Sequence, residues 1–366
     1  MQNSLVTNLA LQGGGSHGAF TWGVLDALLE DGRVALEGIS GTSAGAMNAV
    51  ALAHGFAQAN VKSQGKSKQT ANDAARASLA DFWNGVVNMG ALGEAQRAPF
   101  DMLMGSLGGD ASPMGQMMAS MTNMWSAAMT QSMSPYQNNP LDINPLKDFL
   151  EKKIDFEAIA ALKKLKLFVV ATGVSTGKAE VFSGKRLTAK AVMASACLPT
   201  LFKAVEIEGE HYWDGGYSGN PAIHPLIYNC TSRDIMLVQI NPIKRDKLPT
   251  TAAEIMDRMN EITFNAGLLS EMRAIDFVKR LIAQGKLNPQ QYKDVLMHRI
   301  DGGEVLEQYN ATSKASTSSL MIHALRDLGR EATHKWLKQH VAQIGKQATL
   351  NIARDYLDDL RVPLKP

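Results

Sequence analysis

The sequence predicts an α/β fold in which helices cover a mostly parallel sheet. Three observations lead to this prediction: two strand–turn–helix units near the N-terminus, short apolar segments that alternate with helices between residues 165 and 240, and long segments of helical periodicity beyond residue 242. Strands that alternate with helices are joined by crossovers, and crossovers place parallel strands side by side beneath helices.

The first unit begins with an apolar segment, Leu5 to Leu11, which stops at a run of glycines. Residues 17–31 then have helical character, and Gly32 is placed to end this helix. In the second unit, residues 38–40 lead into another glycine-flanked turn, and a helix of small side chains is expected over residues 44–56. The N-terminal part is therefore predicted to be strand, turn and helix, repeated once.

Residues 58–140 lack apolar segments of strand length, and they are rich first in Lys, Gln, Ser and Asn and then in Met, Gly and Ser. We predict an insertion here. Its methionine-rich stretch, Met102 to Met133, is most simply interpreted as packing against the core, and a lid that accepts varied apolar partners is the alternative. The predicted domains are an α/β core over residues 1–240 and a helical C-terminal region over residues 241–366 that packs on this core.

Regular structure is expected to return after the insertion, because apolar segments of strand length reappear. Beyond residue 242 the apolar residues recur at helical spacing instead. Strands are predicted at residues 165–172, 179–183, 204–212 and 235–240, and helices at residues 187–195, 251–284 and 326–344.

The composition excludes several classes of protein. The 366 residues are 45% hydrophobic and 20% charged, which is typical of a soluble globular protein. The formal net charge of +2 comes without a dense basic stripe, so nucleic acid is not an expected partner. Cys197 and Cys230 form neither a disulfide framework nor a metal-binding motif, and no HExxH pattern occurs. No metal or other cofactor is therefore expected.

The N-terminal residues lack the basic and apolar regions of a signal peptide. No uninterrupted apolar run is long enough to cross a bilayer. We therefore predict a cytoplasmic location, with peripheral membrane contact as a further expectation.

A serine flanked by glycines follows the second predicted strand, in the pentapeptide Gly41-Thr42-Ser43-Ala44-Gly45. In such a GxSxG turn the serine is lifted clear of the sheet, and the glycines let neighbouring backbone approach closely. A hydrolase needs this exposure because an unactivated hydroxyl is a poor nucleophile that must reach a base. We interpret Ser43 as a candidate nucleophile, although an ordinary glycine-rich turn is equally compatible with these residues alone.

The run Gly13-Gly14-Gly15-Ser16-His17-Gly18 exposes backbone N–H groups at the start of a helix. These amides are candidate donors to an oxyanion. The same letters also spell GxGxxG, the signature of dinucleotide-binding folds, which further requires an acidic residue about twenty positions later at a strand end. Glu37 lies near that distance but precedes the second glycine turn. The spacing therefore favours hydrolysis.

The segment Trp213-Asp214-Gly215-Gly216 places a carboxylate directly after a predicted strand. An Asp-Gly pair by itself is typical of a hairpin turn. The interpretation of Asp214 as a general base therefore depends on its following the glycine loop and the Ser43 turn in the same chain. A histidine base is the alternative, and the order serine, acid, histidine would require one of His224, His298, His323, His334 and His340, none of which has distinguishing surroundings.

Taken in order, the glycine loop, the Ser43 turn and Asp214-Gly215-Gly216 resemble the motifs of patatin-like lipid acyl hydrolases. The resemblance extends to the small-residue segment at residues 194–199 and to Asn220-Pro221, and it covers about residues 5–57 and 141–285. It implies a patatin-like three-layer α/β/α fold with a mostly parallel central sheet.

The resemblance also assigns roles within the site. It implies a dyad in which Ser43 attacks an ester carbonyl and Asp214 accepts the proton, with Gly14 and Gly15 as oxyanion donors and an acyl-enzyme as intermediate. The remaining motif glycines support these elements: Gly13, Gly18, Gly41, Gly45, Gly215 and Gly216.

The implied activity is that of a phospholipase A or lysophospholipase-type esterase, which acts on phospholipid or another acyl-ester lipid without a cofactor. Two residues depart from the family pattern: Gln12 stands where an acidic residue is common, and His17 stands where many members carry Arg or Lys. A neutral imidazole at position 17 would weaken anion stabilisation. Two other classes stay open, namely an acyltransferase that uses the same acyl-enzyme and a non-enzymatic lipid-binding protein.

Overall fold

The computed structural model describes residues 5–63, 68–107, 134–139, 144–309 and 312–357. These residues form an eight-stranded sheet with helices on both faces, which confirms the predicted α/β class with a mostly parallel central sheet. The strands are β1 (Leu5–Leu11), β2 (Val34–Thr42), β3 (Lys166–Gly173), β4 (Ala179–Phe182), β5 (Val205–Ile207), β6 (Glu210–Asp214), β7 (Asp234–Gln239) and β8 (Leu296–Asp301).

The helices connect these strands and pack on them. Short 3-10 helices lie at Gly15–His17, Gly184–Arg186, Gly215–Tyr217, Thr312–Ala315 and Val341–Gln343. The α-helices are α1 (Gly18–Asp31), α2 (Ala44–Ser63), α3 (Lys68–Leu107), α4 (Pro135–Asn138), α5 (Pro145–Lys153), α6 (Phe156–Ala160), α7 (Ala189–Ser195), α8 (His224–Asn229), α9 (Ala252–Ala283), α10 (Gly303–Glu307), α11 (Ser319–His340) and α12 (Ile352–Tyr356).

The strands lie in the order β5-β6-β3-β2-β1-β7-β8, and β4 pairs with β3 outside this path. The pairs β3–β2, β2–β1, β1–β7 and β7–β8 are parallel, whereas β4, β5 and β6 pair antiparallel at the other end. Because strand carboxyl ends meet at one edge of a parallel sheet, the loops that follow β1 and β2 lie side by side.

Side chains of the strands alternate between two hydrophobic clusters, one on each face of the sheet. On β7, Met236 and Val238 belong to the cluster that includes residues of α1, α2 and α11. Ile235 and Leu237 belong to the cluster that includes residues of α8 and α9. All four side chains are completely buried. Both faces are therefore covered, as a three-layer fold requires.

The segment predicted as an insertion, residues 58–140, contributes to the main core. In α3, the side chains of Leu79, Phe82 and Trp83 are buried in the same cluster as α1 and α2. Residues 108–133, which hold most of the methionine-rich stretch, lie outside the described residues. The interpretation of this stretch as a lid therefore stays a prediction, as does the domain boundary at residue 240.

The predicted strand at residues 204–212 is a hairpin formed by β5 and β6. Glu208 and Gly209 connect the two strands with φ angles of 55° and 84°. Positive φ at both turn residues is what a two-residue hairpin of type I′ needs, and the apolar pattern alone did not reveal it. The structure corrects this part of the sequence prediction.

The C-terminal region contributes a strand that the helical pattern did not predict. β8 pairs in parallel with β7 from Asp234↔Leu296 to Gln239↔Asp301. The region beyond residue 240 therefore completes the sheet as well as packing helices on it. Within the described part of the chain, no helix is long and apolar enough to cross a membrane.

Candidate active site

Ser43 lies between the last residue of β2 and the first residue of α2. Its φ of 54° is in the left-handed region, which a residue with a β-carbon rarely adopts. Close packing holds this turn, since a β-carbon on Gly45 would lie 2.3 Å from the carbonyl oxygen of Leu11. The Ser43 backbone N–H donates to Ser195 Oγ at 2.9 Å. The strained turn lifts the half-buried Ser43 side chain away from the strand.

Asp214 is the last residue of β6, and its side chain is buried. Its carboxylate accepts a hydrogen bond from the Gly216 N–H at 2.7 Å, and the Ser43 side chain is close enough to stabilise its charged form. Burial raises the pKa of Asp214 from 3.8 to about 7, although the Gly216 N–H and the Ser43 side chain favour the charged form and work in the opposite direction. A carboxylate with such a pKa can accept a proton near neutral pH.

The register of the sheet explains why Ser43 and Asp214 meet. Val170 of β3 pairs with Thr42 of β2, and the next residue of β3, Ala171, pairs with Asp214. Both Val170 and Ala171 also pair with β4 on their other edge. β6 therefore pairs with the same edge of β3 as β2 does, beginning where β2 ends. Asp214 thus lies next to the start of the Ser43 turn.

Further hydrogen bonds fix the backbone of Asp214. Its N–H donates to the carbonyl oxygen of Cys197 at 2.7 Å, and its carbonyl oxygen accepts from Thr172 Oγ1 at 2.8 Å. Thr42 Oγ1 donates to the Gly219 carbonyl oxygen at 2.7 Å, which connects the Ser43 turn to the loop after Asp214. These bonds hold the hydroxyl and the carboxylate in a fixed relation.

The glycine loop lies directly beside Ser43. A β-carbon on Gly13 would be 2.7 Å from Ser43 Cβ, and the Gly13 N–H donates to Asn220 Oδ1 at 2.6 Å. Within the described chain, the amides of Gly14 and Gly15 donate to no acceptor. The loop therefore presents two N–H groups next to the candidate nucleophile.

The starts of two helices converge on this loop. A β-carbon on Gly18, at the start of α1, would lie 2.7 Å from Cβ of Ala44, at the start of α2. The N-terminal ends of helices carry partial positive charge, which favours an anion. The other glycines of the predicted motifs also lie at this edge: Gly41 in β2, Gly45 in α2, and Gly215 and Gly216 at the start of the 3-10 helix after β6.

Gln12 is completely buried, and both ends of its amide are used. Its oxygen accepts from the N–H groups of Ile240 and Asn241, each at 2.8 Å. Its nitrogen donates to the carbonyl oxygen of Asn220 at 3.1 Å and to Asn265 Oδ1 at 3.3 Å. An ionised acid could accept the first pair but could not donate the second pair. The departure from an acidic residue at position 12 is therefore matched to its neighbours.

His17 is turned into the protein interior. Its Nε2 lies 2.7 Å from Ser313 Oγ, and its ring packs edge-on against Tyr309. Burial, together with the positive charges of Lys314 and Arg245, lowers the pKa of His17 to about 4. His17 is therefore neutral at neutral pH and supplies no cation to the glycine loop.

Three of the five histidines that a triad could use have hydrogen-bond partners away from Ser43. His224 Nδ1 lies 3.1 Å from Glu271 Oε1, and His298 Nε2 lies 2.9 Å from Asp234 Oδ1. His323 Nδ1 is paired with the backbone oxygen of Ser319 on its own helix. Among the described residues, none of the five is hydrogen-bonded to Ser43, so Asp214 stays the base candidate. Groups of three or more side chains suited to hold a metal are not found among the described residues.

The chain also matches a known protein family. The model for patatin-like phospholipases matches residues 9–227. The chain belongs to the patatin-like phospholipase family. Membership supports lipid acyl hydrolase activity in general terms and confirms the resemblance seen in the sequence.

The chain has low similarity to an individual solved structure. Among solved structures, the chain is similar to VipD from Legionella pneumophila, with 16% sequence identity and a TM-score of 0.39. The similarity covers 96% of this chain and 73% of that one. No curated protein sequence matches the chain significantly.

Several polar groups of this patatin-like site were not predicted as site residues. Ser195, Asn241 and Lys314 all contact the Ser43 turn or the glycine loop. Ser195 lies in the small-residue segment that carries the family resemblance, so a local signal existed. Asn241 and Lys314 lie outside every motif, and only the folded chain brings them to the loop.

We expect Gly15→Ala to lower kcat by about 10²-fold while KM changes little, because oxyanion donors act mainly in the transition state. Gly15 has a φ of 57°, and an added β-carbon would lie 2.3 Å from the Lys314 carbonyl oxygen, so the loop must move. Steady-state kinetics on a nitrophenyl ester measures both constants. Gly184→Ala is the matched control, since Gly184 has a φ of 56° but no atom within 4 Å of its β-carbon position. A raised KM with unchanged kcat would indicate that the loop binds substrate instead.

Proposed function

We propose that this protein is a serine-dependent lipid acyl hydrolase of the phospholipase A or lysophospholipase type. Ser43 acts as the nucleophile, Asp214 as the general base, and the amides of Gly14 and Gly15 as the oxyanion donors. The observation that carries this proposal is the position of the Ser43 side chain beside the buried carboxylate of Asp214, whose pKa burial raises to about 7.

In the first half of the reaction, Ser43 Oγ attacks the ester carbonyl carbon and its proton passes to the Asp214 carboxylate. The carbonyl oxygen becomes an oxyanion next to the Gly14 and Gly15 amides, where the N-terminal ends of α1 and α2 also stabilise negative charge. The tetrahedral intermediate then expels the alcohol, which takes the proton from Asp214. The acyl group remains bound to Ser43 as an ester.

In the second half, water gives its proton to Asp214 and attacks the acyl-enzyme carbonyl. Collapse of the second intermediate releases the fatty acid and returns the proton to Ser43 Oγ. Every proton that leaves one oxygen is accepted by another through Asp214. The cycle needs no cofactor.

Apolar side chains next to Gly216 and on the loop after α7 support a lipid substrate. The rings of Tyr217 and Phe264 lie 5.2 Å apart next to Gly216, and Leu201 and Phe202 are exposed in the loop after α7. Exposed apolar side chains of this kind favour contact with lipid. We further propose that the enzyme is cytoplasmic and contacts membranes peripherally to reach its substrate.

The test is to incubate the purified protein with phosphatidylcholine vesicles and to identify the products by mass spectrometry. We expect free fatty acid and lysophospholipid in equal amounts, and a covalent adduct on Ser43 after treatment with a fluorophosphonate probe. Transfer of the acyl chain to an added alcohol at the expense of free fatty acid would identify an acyltransferase. Binding to vesicles with neither product nor adduct would identify a lipid-binding protein and would contradict the proposal.

A further inference from the structure

Behind the glycine loop, two side chains form a hydrogen-bonded chain that ends on Gly13. Lys314 Nζ donates to Asn241 Oδ1 at 2.7 Å, and Asn241 Nδ2 donates to the carbonyl oxygen of Gly13 at 2.7 Å. Asn241 is buried, and its Oδ1 is 3.8 Å from the position of a β-carbon on Gly14. The chain therefore leads from an ammonium group to the loop beside Ser43.

The carbonyl oxygen of Gly13 and the N–H of Gly14 belong to the same peptide group. In a trans peptide these two groups point in opposite directions within one plane. A donor that holds the Gly13 oxygen from behind therefore fixes the direction of the Gly14 N–H. It also polarises the peptide, and a charged donor at the start of such a chain strengthens each bond along it.

Lys314 is held tightly against the loop. A β-carbon on Gly15 would lie 2.3 Å from the Lys314 carbonyl oxygen and 3.2 Å from Lys314 Cβ. Burial lowers the pKa of Lys314, while the nearby carboxylate of Glu261 favours its charged form. An ammonium group that loses hydration on folding makes the folded state less stable unless its partners offset the cost. A role in function therefore explains the position of Lys314 better than a role in stability.

We propose that Lys314 and Asn241 are positioning residues that orient and polarise the Gly14 amide as an oxyanion donor. The inference depends on the proposed function, because it assigns a role in stabilising the oxyanion that forms when Ser43 attacks. Lys314, from a distant part of the chain, also brings positive charge to the glycine loop, which the neutral His17 does not supply.

The charged and titratable groups around Lys314 come from three neighbouring elements. Glu261 and Asp257 lie on α9, Arg245 precedes that helix, and His17 lies on the loop itself. Burial alone would raise the pKa of Glu261, but ion pairs with Arg245 and Arg258 hold it below its usual value. His17 titrates at about 4, and arginine does not titrate in the accessible range. Loss of the Lys314 proton is therefore the change expected among these groups on the alkaline side.

The first experiment compares Lys314→Met and Lys314→Arg in the hydrolysis of a nitrophenyl ester. Lys314→Met keeps most of the length of the side chain and removes the charged donor, and we expect kcat to fall about tenfold with KM unchanged. Lys314→Arg keeps a charged donor, and we expect it to recover most of kcat. Lys338→Met on the exposed face of α11 is the control for loss of a lysine.

The second experiment measures kcat of the wild type and of Lys314→Met against pH. Because the pKa of Lys314 is lowered, wild-type kcat should fall on the alkaline side before ordinary lysines titrate. Lys314→Met should lack this decrease. A role in stability alone would not alter the shape of the profile, and thermal unfolding should show Lys314→Met to be at least as stable as the wild type.

Asn241→Asp is the second variant, since it keeps the acceptor for Lys314 and removes the donor to Gly13. We expect a loss of kcat at least as large as in Lys314→Met. Full kcat in both variants, or equal losses in Lys314→Met and Lys314→Arg, would overturn the inference. If Ser43→Ala retains full activity, the proposed function itself is wrong, whereas an inactive Ser43→Ala with a fully active Lys314→Met would refute this inference alone.

Discussion

Ser43→Ala is expected to abolish ester hydrolysis, with a loss of kcat on the order of 10⁴-fold or more. The substitution removes the oxygen that attacks the carbonyl, and no other described side chain stabilises the charged Asp214 carboxylate. The backbone should remain in place, because alanine has the same β-carbon as serine and meets the same strain at a φ of 54°. Hydrolysis of a short-chain nitrophenyl ester and labelling by a fluorophosphonate probe are the two measurements.

The control for this experiment is Ser270→Ala, which removes an exposed hydroxyl that donates to the backbone oxygen of Ala266 on its own helix. Circular dichroism and thermal unfolding should show both variants to be folded. Substantial turnover by a folded Ser43→Ala variant would exclude Ser43 as the nucleophile. Labelling that persists in that variant would instead point to a different reactive serine.

The parts of the site that the sequence predicted are those with local causes. β1 has the predicted bounds of Leu5–Leu11, and the turn at Ser43 lies between β2 and α2 as the glycine pattern indicated. Glycine on both sides of a turn specifies close backbone approach within a few residues, so the pattern is sufficient. Asp214 could be named only because its Asp-Gly-Gly segment follows the glycine loop and the Ser43 turn in the order that resembles the patatin-like family.

The parts that the sequence did not predict depend on contacts between distant residues. β8 is recognisable as a strand only once it is placed beside β7, since it lies in a region dominated by helical periodicity. Asn241 and Lys314 lie more than two hundred residues from the glycine loop that they contact. Neither residue belongs to a motif, so spacing gives no signal for either.

The pKa of Asp214 is another property that no motif could supply. It depends on how completely β3, β6 and the Ser43 turn enclose the carboxylate, and the free energy of burying a charge is large unless hydrogen bonds offset it. The same acid in an exposed Asp-Gly hairpin would titrate near its ordinary value. The fold thus converts a common turn sequence into a group that can exchange protons near neutral pH.

Asp214→Asn is expected to remove activity nearly as completely as Ser43→Ala, because an amide cannot accept the serine proton. In the wild type, kcat/KM should rise with pH through about 7, since only the ionised carboxylate acts as a base. The measurement is a pH–rate profile of both proteins on a neutral ester. A mild effect of Asp214→Asn, together with a severe effect of replacing a histidine such as His224, would require a triad.

Asp214→Asn should also make the folded protein more stable than the wild type at alkaline pH. The folded pKa of about 7 lies above the unfolded value of 3.8, so the contribution of Asp214 to stability is fully present below about pH 4 and is lost as pH rises through about 7. This difference between the folded and unfolded pKa values corresponds to about 4 kcal/mol of stability lost at pH 8. An asparagine carries no charge and can still accept from the Gly216 N–H, so it avoids most of this loss. Unfolding by urea at pH 4 and pH 8 should therefore show Asp214→Asn gaining stability over the wild type only at the higher pH. If Asp214→Asn is inactive and equally destabilised at both pH values, Asp214 has a structural role. Ionisation of its carboxylate then does not destabilise the folded protein.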